Sequence, residues 1–238
     1  AGRVYIRARA TTDGKQWAFF TDGKPAEKLN QLSGGNNGKW FGDIGTPEYV
    51  SIGASAQGGG HKGAFAEVLV YDHPLAKREV DALSGYVAAK YKGQGQAPEP
   101  PTDGLRFWLD AADIDANVET PNPAVGSRVS TWVDKVTKTP LAQAEVGRQP
   151  RLTRLGQAPA LMFDKSLLKA KITRDGAIQF LGDQVGSIVV IFSAEHTGEG
   201  YGFEVGGAGD IVATFINPTA GNDRKLRDYI QDYTNDLF

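Results

Sequence analysis

Cysteine is absent from the 238 residues. That removes disulfide staples, thiolate metal sites and cysteine nucleophiles together, and leaves the redox compartment open. Histidine is scarce: His61, His73 and His196 stand singly beside turns, with no H-x-H or H-E-x-x-H spacing for a hydrolytic metal. No G-x-S-x-G elbow, phosphate loop or G-x-G-x-x-G leading into a helix occurs, so serine-hydrolase and nucleotide chemistry have no support. Neither sign of charge dominates. The net charge of −2 offers no electrostatic footprint for nucleic acid or an anionic membrane. Hydrophobic runs are short as well: the longest, residues 188–192, is strand-sized, far below the ~20 residues of a transmembrane helix.

Turn residues, by contrast, are plentiful. Thirty Gly and twelve Pro favour many short strands over long helices. Residues 4–10 alternate apolar and basic, 12–15 read as a hairpin turn, and 16–20 as the returning strand before a second turn at 21–25. A polar loop over 32–45 carries Trp40 and Phe41, and 49–54 reads as another strand. In the stretch 63–92, Phe65, Val68 and Val70 mark a core strand that ends in the turn Tyr71-Asp72-His73-Pro74. The apolar period then changes from 2 to 3.6, and Val80, Leu83, Val87 and Tyr91 share one face of an amphipathic helix over about 76–91. Ala76, three residues before Glu79, offers no side-chain acceptor, so half of a capping box is missing, at a cost of about 1 kcal/mol.

Residues 93–102, Gly-Gln-Gly-Gln-Ala-Pro-Glu-Pro-Pro-Thr, form a linker by composition, with a maximum span of roughly 33 Å. Beyond it, 103–113, 129–134, 158–164, 187–193, 200–205 and 210–216 read as strands, and the charged, aromatic tail 223–238 shows no clear period.

The text on either side of the linker resembles bacterial laminin-G-like modules of the concanavalin A-like lectin/glucanase superfamily. Ala66, Glu67, Tyr71, Asp72, Leu75, Glu79, Tyr86, Ala88, Lys90 and Tyr91 fill the places of the motif that closes such modules. Asp103-Gly-Leu-Arg-Phe-Trp-Leu-Asp110, Val129-Ser-Thr-Trp-Val-Asp134 and Ala158-Pro-Ala-Leu-Met-Phe-Asp164 resemble the segments that open them. The end of a module therefore precedes the beginning of one, as in a circular permutant or a cut across tandem repeats. The resemblance implies an all-β, concanavalin A-like jelly-roll β-sandwich of 12–14 strands with one short helix. In it 1–92 supplies the C-terminal-type half, 93–102 the linker and 103–238 the N-terminal-type half. Isolated half-sandwiches would leave edges and faces bare, so the halves are expected to associate. A domain-swapped dimer hinged at the linker is the alternative.

What the resemblance implies for function is broader. The glucanase branch carries E-x-D-x-x-E on one strand; here that motif is missing. The nearest acidic cluster, Asp110 to Asp115, falls on an opening strand and its turn, and retaining glycosidases need carboxyls about 5–5.5 Å apart. No enzyme is expected. The family reading is a carbohydrate-binding or adhesion module of a larger extracellular or cell-surface bacterial protein, with a glycan or surface protein as partner. Its rivals are a structural repeat that assembles with neighbouring copies and a divergent glycoside hydrolase. The opening on Ala1, without an initiator Met, predicts a piece of a longer chain. Trp40, Phe41, Asn37 and Tyr201 are the candidate ligand-binding residues, the aromatics either stacking on a sugar or packing in the core. Calcium is the ion that the resemblance suggests. Asp43 and Asp22 are its candidate ligands, backed by Asn36 and Asn37, although turn formation uses the same side chains.

Overall fold

The structure, a computed structural model, describes residues 6–25, 36–43, 47–54, 61–93, 98–194, 202–206, 211–215, 217–218 and 226–227. It is mostly β. In chain order the strands are β1 (Ile6–Thr12), β2 (Trp17–Thr21), β3 (Lys24–Pro25), β4 (Tyr49–Ile52), β5 (Lys62–Tyr71), β6 (Leu105–Asp110), β7 (Thr131–Val133) and β8 (Pro140–Ala142). They continue as β9 (Arg151–Leu155), β10 (Ala158–Asp164), β11 (Leu168–Lys171), β12 (Gly186–Ala194), β13 (Phe203–Gly206), β14 (Ile211–Phe215), β15 (Asn217–Pro218) and β16 (Leu226–Arg227). Among the described residues two α-helices interrupt them, α1 (Lys77–Lys92) and α2 (Arg174–Leu181).

Two antiparallel sheets stack on each other. The larger runs β3-β2-β1-β12-β5-β10-β9, with β6 also paired to β5; the smaller runs β14-β13-β4-β11-β8-β7. Each sheet mixes strands from before and after the 93–102 segment. β12 covers one edge of β5, while β10 takes Lys62 to Phe65 and β6 takes Glu67 to Tyr71 on the other. The core between the sheets joins Phe65, Val68, Val70, Phe107, Leu109, Ile188, Val190 and Phe192 to Val50, Ile52, Trp132, Leu141, Leu168 and Phe203. Phe107 and Phe203 meet edge to face across it, with ring centroids 6.0 Å apart.

The central strand β5 is buried on both faces, and its side-chain alternation slips once. The β5–β12 register shifts between Ile191 and Phe192, pairing them with Glu67 and Phe65 and leaving Ala66 unopposed. This bulge turns Ala66 and Glu67 to the same side. That is why Phe65 and Val68, three residues apart, both face the inter-sheet core. The other face of β5 meets α1, where Ala64, Ala66, Leu69 and Tyr71 pack with Leu83, Tyr86, Val87 and Tyr91. Four buried apolar side chains on one helical face give α1 its place.

The helix begins without a side-chain cap because alanine has no acceptor. Instead the Glu79 carboxylate accepts the Ala76 N–H at 2.8 Å. Gly93, left-handed at φ 67°, ends the helix. The expected helix over about 76–91 agrees within a residue. α2 is an addition to the sequence reading: Thr173 caps it, its hydroxyl accepting the Gly176 N–H at 3.2 Å. β8, β9 and β11 are also additions, each only three to five residues long.

Sheet stacking constrains the backbone most tightly at Gly53, just past β4. Its φ is +94°, and a Cβ there would enter the Phe163 ring of the facing sheet. Gly53→Ala is therefore expected to lower unfolding stability by about 2–4 kcal/mol, read from the midpoint of urea denaturation. An unchanged midpoint would mean that the sheets are not seated on each other at Phe163.

Candidate functional site

The aromatic pair singled out in the sequence packs inside the protein. Trp40 and Phe41 are each 1% exposed. The Trp40 ring lies 5.1 Å from Trp17 and 4.6 Å from Phe41, and its indole N–H donates to the Leu181 carbonyl. Gly182 and Gly186 lie so close to the indole that a side chain at Gly186 would collide with it. The polar loop thus folds its aromatics inward to plug the end of the core beneath α2, and neither ring offers a face to a sugar. Tyr201 and His196 lie outside the described residues.

The candidate calcium ligands serve the local backbone. Asp22, at φ 50°, accepts the Arg7 N–H at 3.0 Å, and Asp43 accepts the Trp40 N–H at 2.7 Å. Asn36 brackets Trp17, accepting its N–H at 2.6 Å and donating to its carbonyl at 3.1 Å, while Asn37 accepts the Lys39 N–H at 3.2 Å. Asp22 and Asp43 occupy separate turns. Among the described residues no group of three or more His, Asp or Glu side chains is arranged to hold a metal ion, so these residues do not fit a resident calcium.

Three polar constellations emerge that single residues did not announce. The first is buried beneath α1. Glu67 is 0% exposed and lies opposite Asp110 across the β5–β6 pair. Lys90 reaches both carboxylates, Asp110 at 2.8 Å, and the Tyr86 hydroxyl at 2.8 Å. The Tyr86 and Tyr91 hydroxyls donate to Glu67 at 2.6 Å, and the Trp108 indole N–H at 3.3 Å. Lys135, stacked 4.0 Å above Trp108, bridges Asp110 at 3.7 Å and Asp113 at 3.1 Å. Burial pushes the Glu67 carboxyl above the usual carboxylate range despite Lys90. Burial would lower Lys90, but Glu67 and Asp110 outweigh it and hold the ammonium above its ordinary value.

The second constellation occupies the turn before α1. His73 bonds Asp72 at 3.2 Å and Glu79 at 3.0 Å, while Arg106 donates to Asp72 at 2.7 Å. Gly104, at φ +62°, lets the β6 end close over this turn, because a Cβ there would meet Asp72 and His73. Beside it opens a cleft of about 510 Å³ lined by Asp72, Arg106, Ile178, Gln179, Asp183 and Gln184, within the usual range of ligand sites. The cleft joins carboxylates, side-chain amides and a guanidinium around a small apolar floor. Sequence reasoning passed over Arg106, Gln179 and Gln184; the capping Thr173, followed by Ile178 and Leu181 at helical spacing, was the signal for α2, which carries Gln179, while Arg106 comes from β6.

The third lies on the outer face of the smaller sheet. The Tyr49 hydroxyl donates to Glu204 at 2.5 Å, and burial raises the Tyr49 phenol. Glu204 is buried, yet its second oxygen has no hydrogen-bond partner among the described residues. Its place between core-facing Phe203 and Val205 follows from strand alternation.

The chain matches no protein-family model, no curated protein and no solved structure.

The His73 cluster has a pH signature. Burial opposes protonation of His73, but Glu79 and Asp72 outweigh it and raise its pKa. Burial likewise disfavours the Asp72 and Glu79 anions, but hydrogen bonds from His73, Arg106 and the Ala76 N–H outweigh it and lower both pKa values. A raised histidine contributes stability in full below its unfolded pKa of about 6.5 and loses it as pH rises through the folded value. The lowered carboxylates contribute above about pH 4 and lose it as pH falls. The melting temperature is therefore expected to peak between these limits and decline above neutrality, and His73→Gln should flatten the alkaline limb. An identical decline in the variant would show that His73 is not its source.

Proposed function

We propose that this chain is a non-catalytic carbohydrate-binding or adhesion module of a larger extracellular or cell-surface bacterial protein. In this reading it is a concanavalin A-like jelly roll of the laminin-G-like type, permuted so that the closing half (1–92) precedes the opening half (103–238). The observation that carries the binding role is the cleft between α2 and the Asp72 turn. Arg106 and Asp72 hold each other there, and Gln179, Asp183 and Gln184 supply further hydrogen-bonding groups. Planar amides, carboxylates and guanidinium suit the alternating donor and acceptor hydroxyls of a neutral oligosaccharide, whose ring faces can rest on Ile178. A preformed Arg–Asp pair also limits the side-chain entropy lost on binding.

Placement of the carboxylates favours binding over hydrolysis. Glu67 and Asp110 share Lys90 beneath α1, outside the cleft, and Asp72 is neutralised by Arg106. Neither pair offers a carboxylic acid and a free carboxylate to one bond.

A printed array of defined oligosaccharides, followed by titration calorimetry on any that bind, tests the reading. Binding is expected, and Arg106→Ala combined with Gln179→Ala should weaken it by about tenfold or more. Binding that ignores the double variant would move the site elsewhere. An array without a single ligand would overturn the glycan reading and favour assembly with neighbouring copies, for which exposed Val118, Val125 and Val146 give contact surface.

A further inference from the structure

The cluster beneath α1 has the composition of a condensation site. Lys90 faces two carboxylates, Glu67 and Asp110, and Lys135 reaches Asp110 from its other oxygen. Asp110 presents Oδ1 to Lys90 Nζ at 2.8 Å, and the Ala112 N–H, donating to the same oxygen at 2.9 Å, fixes the carboxyl. Glu67 touches the same Nζ and is locked by Tyr86, Tyr91 and Trp108. Three side chains from α1, β5 and β6 are thus held at van der Waals distance with aromatic walls around them.

We propose that Lys90 and Asp110 condense into an intramolecular amide cross-link, with Glu67 as the proton carrier. The Lys90 ammonium passes a proton to Glu67, and the freed amine attacks the Asp110 carboxyl carbon. The new N–C bond forms, and a second proton leaves the nitrogen. Both protons reach the departing Asp110 oxygen, one by way of Glu67, and the C–O bond breaks. Ammonium plus carboxylate gives amide plus one water; Glu67 ends in the state in which it began, and no oxidant or reductant is required.

The surroundings support each part of this step. Burial raises the Glu67 carboxyl, so it competes for the proton that the two carboxylates otherwise keep on Lys90. Lys135, 3.7 Å from Asp110 Oδ2, offsets the negative charge that develops there during attack. Condensation removes an ion pair from a site that solvates it poorly. Effective molarities of about 10⁵–10⁸ M for well-oriented groups can drive a condensation that free solutes do not undergo. Water leaves past the ammonium side, where Lys90 and Lys135 are 14% and 18% exposed. The product ties α1 of the first segment to β6 of the second.

Intact mass spectrometry of the folded chain, held at neutral pH for a day and then denatured, tests the proposal. The expected chain is lighter than its sequence by one water, and its tryptic digest contains a branched peptide joining the Lys90 and Asp110 segments. Lys90→Arg and Glu67→Gln should retain the water. Wild-type protein that melts cooperatively yet keeps its full mass overturns the cross-link. So does a lost water that persists in Lys90→Arg, which would assign it to succinimide at an Asp-Gly step such as Asp103-Gly104. Loss at the wild-type rate in Glu67→Gln overturns the carrier role of Glu67.

Discussion

Lys90 stands between two carboxylates that would otherwise repel each other across paired strands. Glu67 and Asp110 are directly opposed in the β5–β6 ladder, a placement that is destabilising for like charges. It persists because α1 carries an ammonium into the gap and brings Tyr86 and Tyr91 to the remaining lone pairs. The ladder therefore depends on the helix, and the helix on the ladder. Removing one partner of such a set leaves a buried charge uncompensated, at a cost of about 3–5 kcal/mol. The bulge at Ala66 belongs to the same device, since without it Glu67 would point into the inter-sheet core.

Much of this was legible in the residues. The change from period 2 to period 3.6 after Pro74 located β5, its turn and α1: Phe65, Val68 and Val70 turn to the inter-sheet core, while Leu83, Val87 and Tyr91 pack on the opposite face of the same sheet. Trp132, in one of the quoted opening segments, is buried between the sheets, and Trp108, in another, is buried beneath α1. The bulge at Ala66 was not read from the residues, although the three-residue spacing of Phe65 and Val68 departs from strict alternation. α2 and the short strands β8, β9 and β11 were not legible. Each is too brief for periodicity to show, and long-range pairing rather than local propensity decides the strands.

The candidate site was harder to read for a definite reason. Trp40 and Phe41 sit in a loop rich in Gly and Asn, a composition that fits exposure. Only the tertiary position of Leu181 and Gly186 shows that the loop folds inward. Asp22 and Asp43 likewise have the residue type of a calcium ligand and the hydrogen bonds of turn formers. The cleft that replaces them is assembled from Asp72, Arg106 and Gln179, which lie far apart in the chain. No local motif encodes such a neighbourhood.

The account rests on the claim that segments on both sides of the 93–102 linker form one cooperative unit through β5. The direct measurement is to place a protease site within residues 94–97, cut the folded protein there, and record its thermal unfolding. The account predicts that the cut protein melts in a single transition, which an amide between Lys90 and Asp110 would not by itself impose on two independent halves. Two transitions would contradict it.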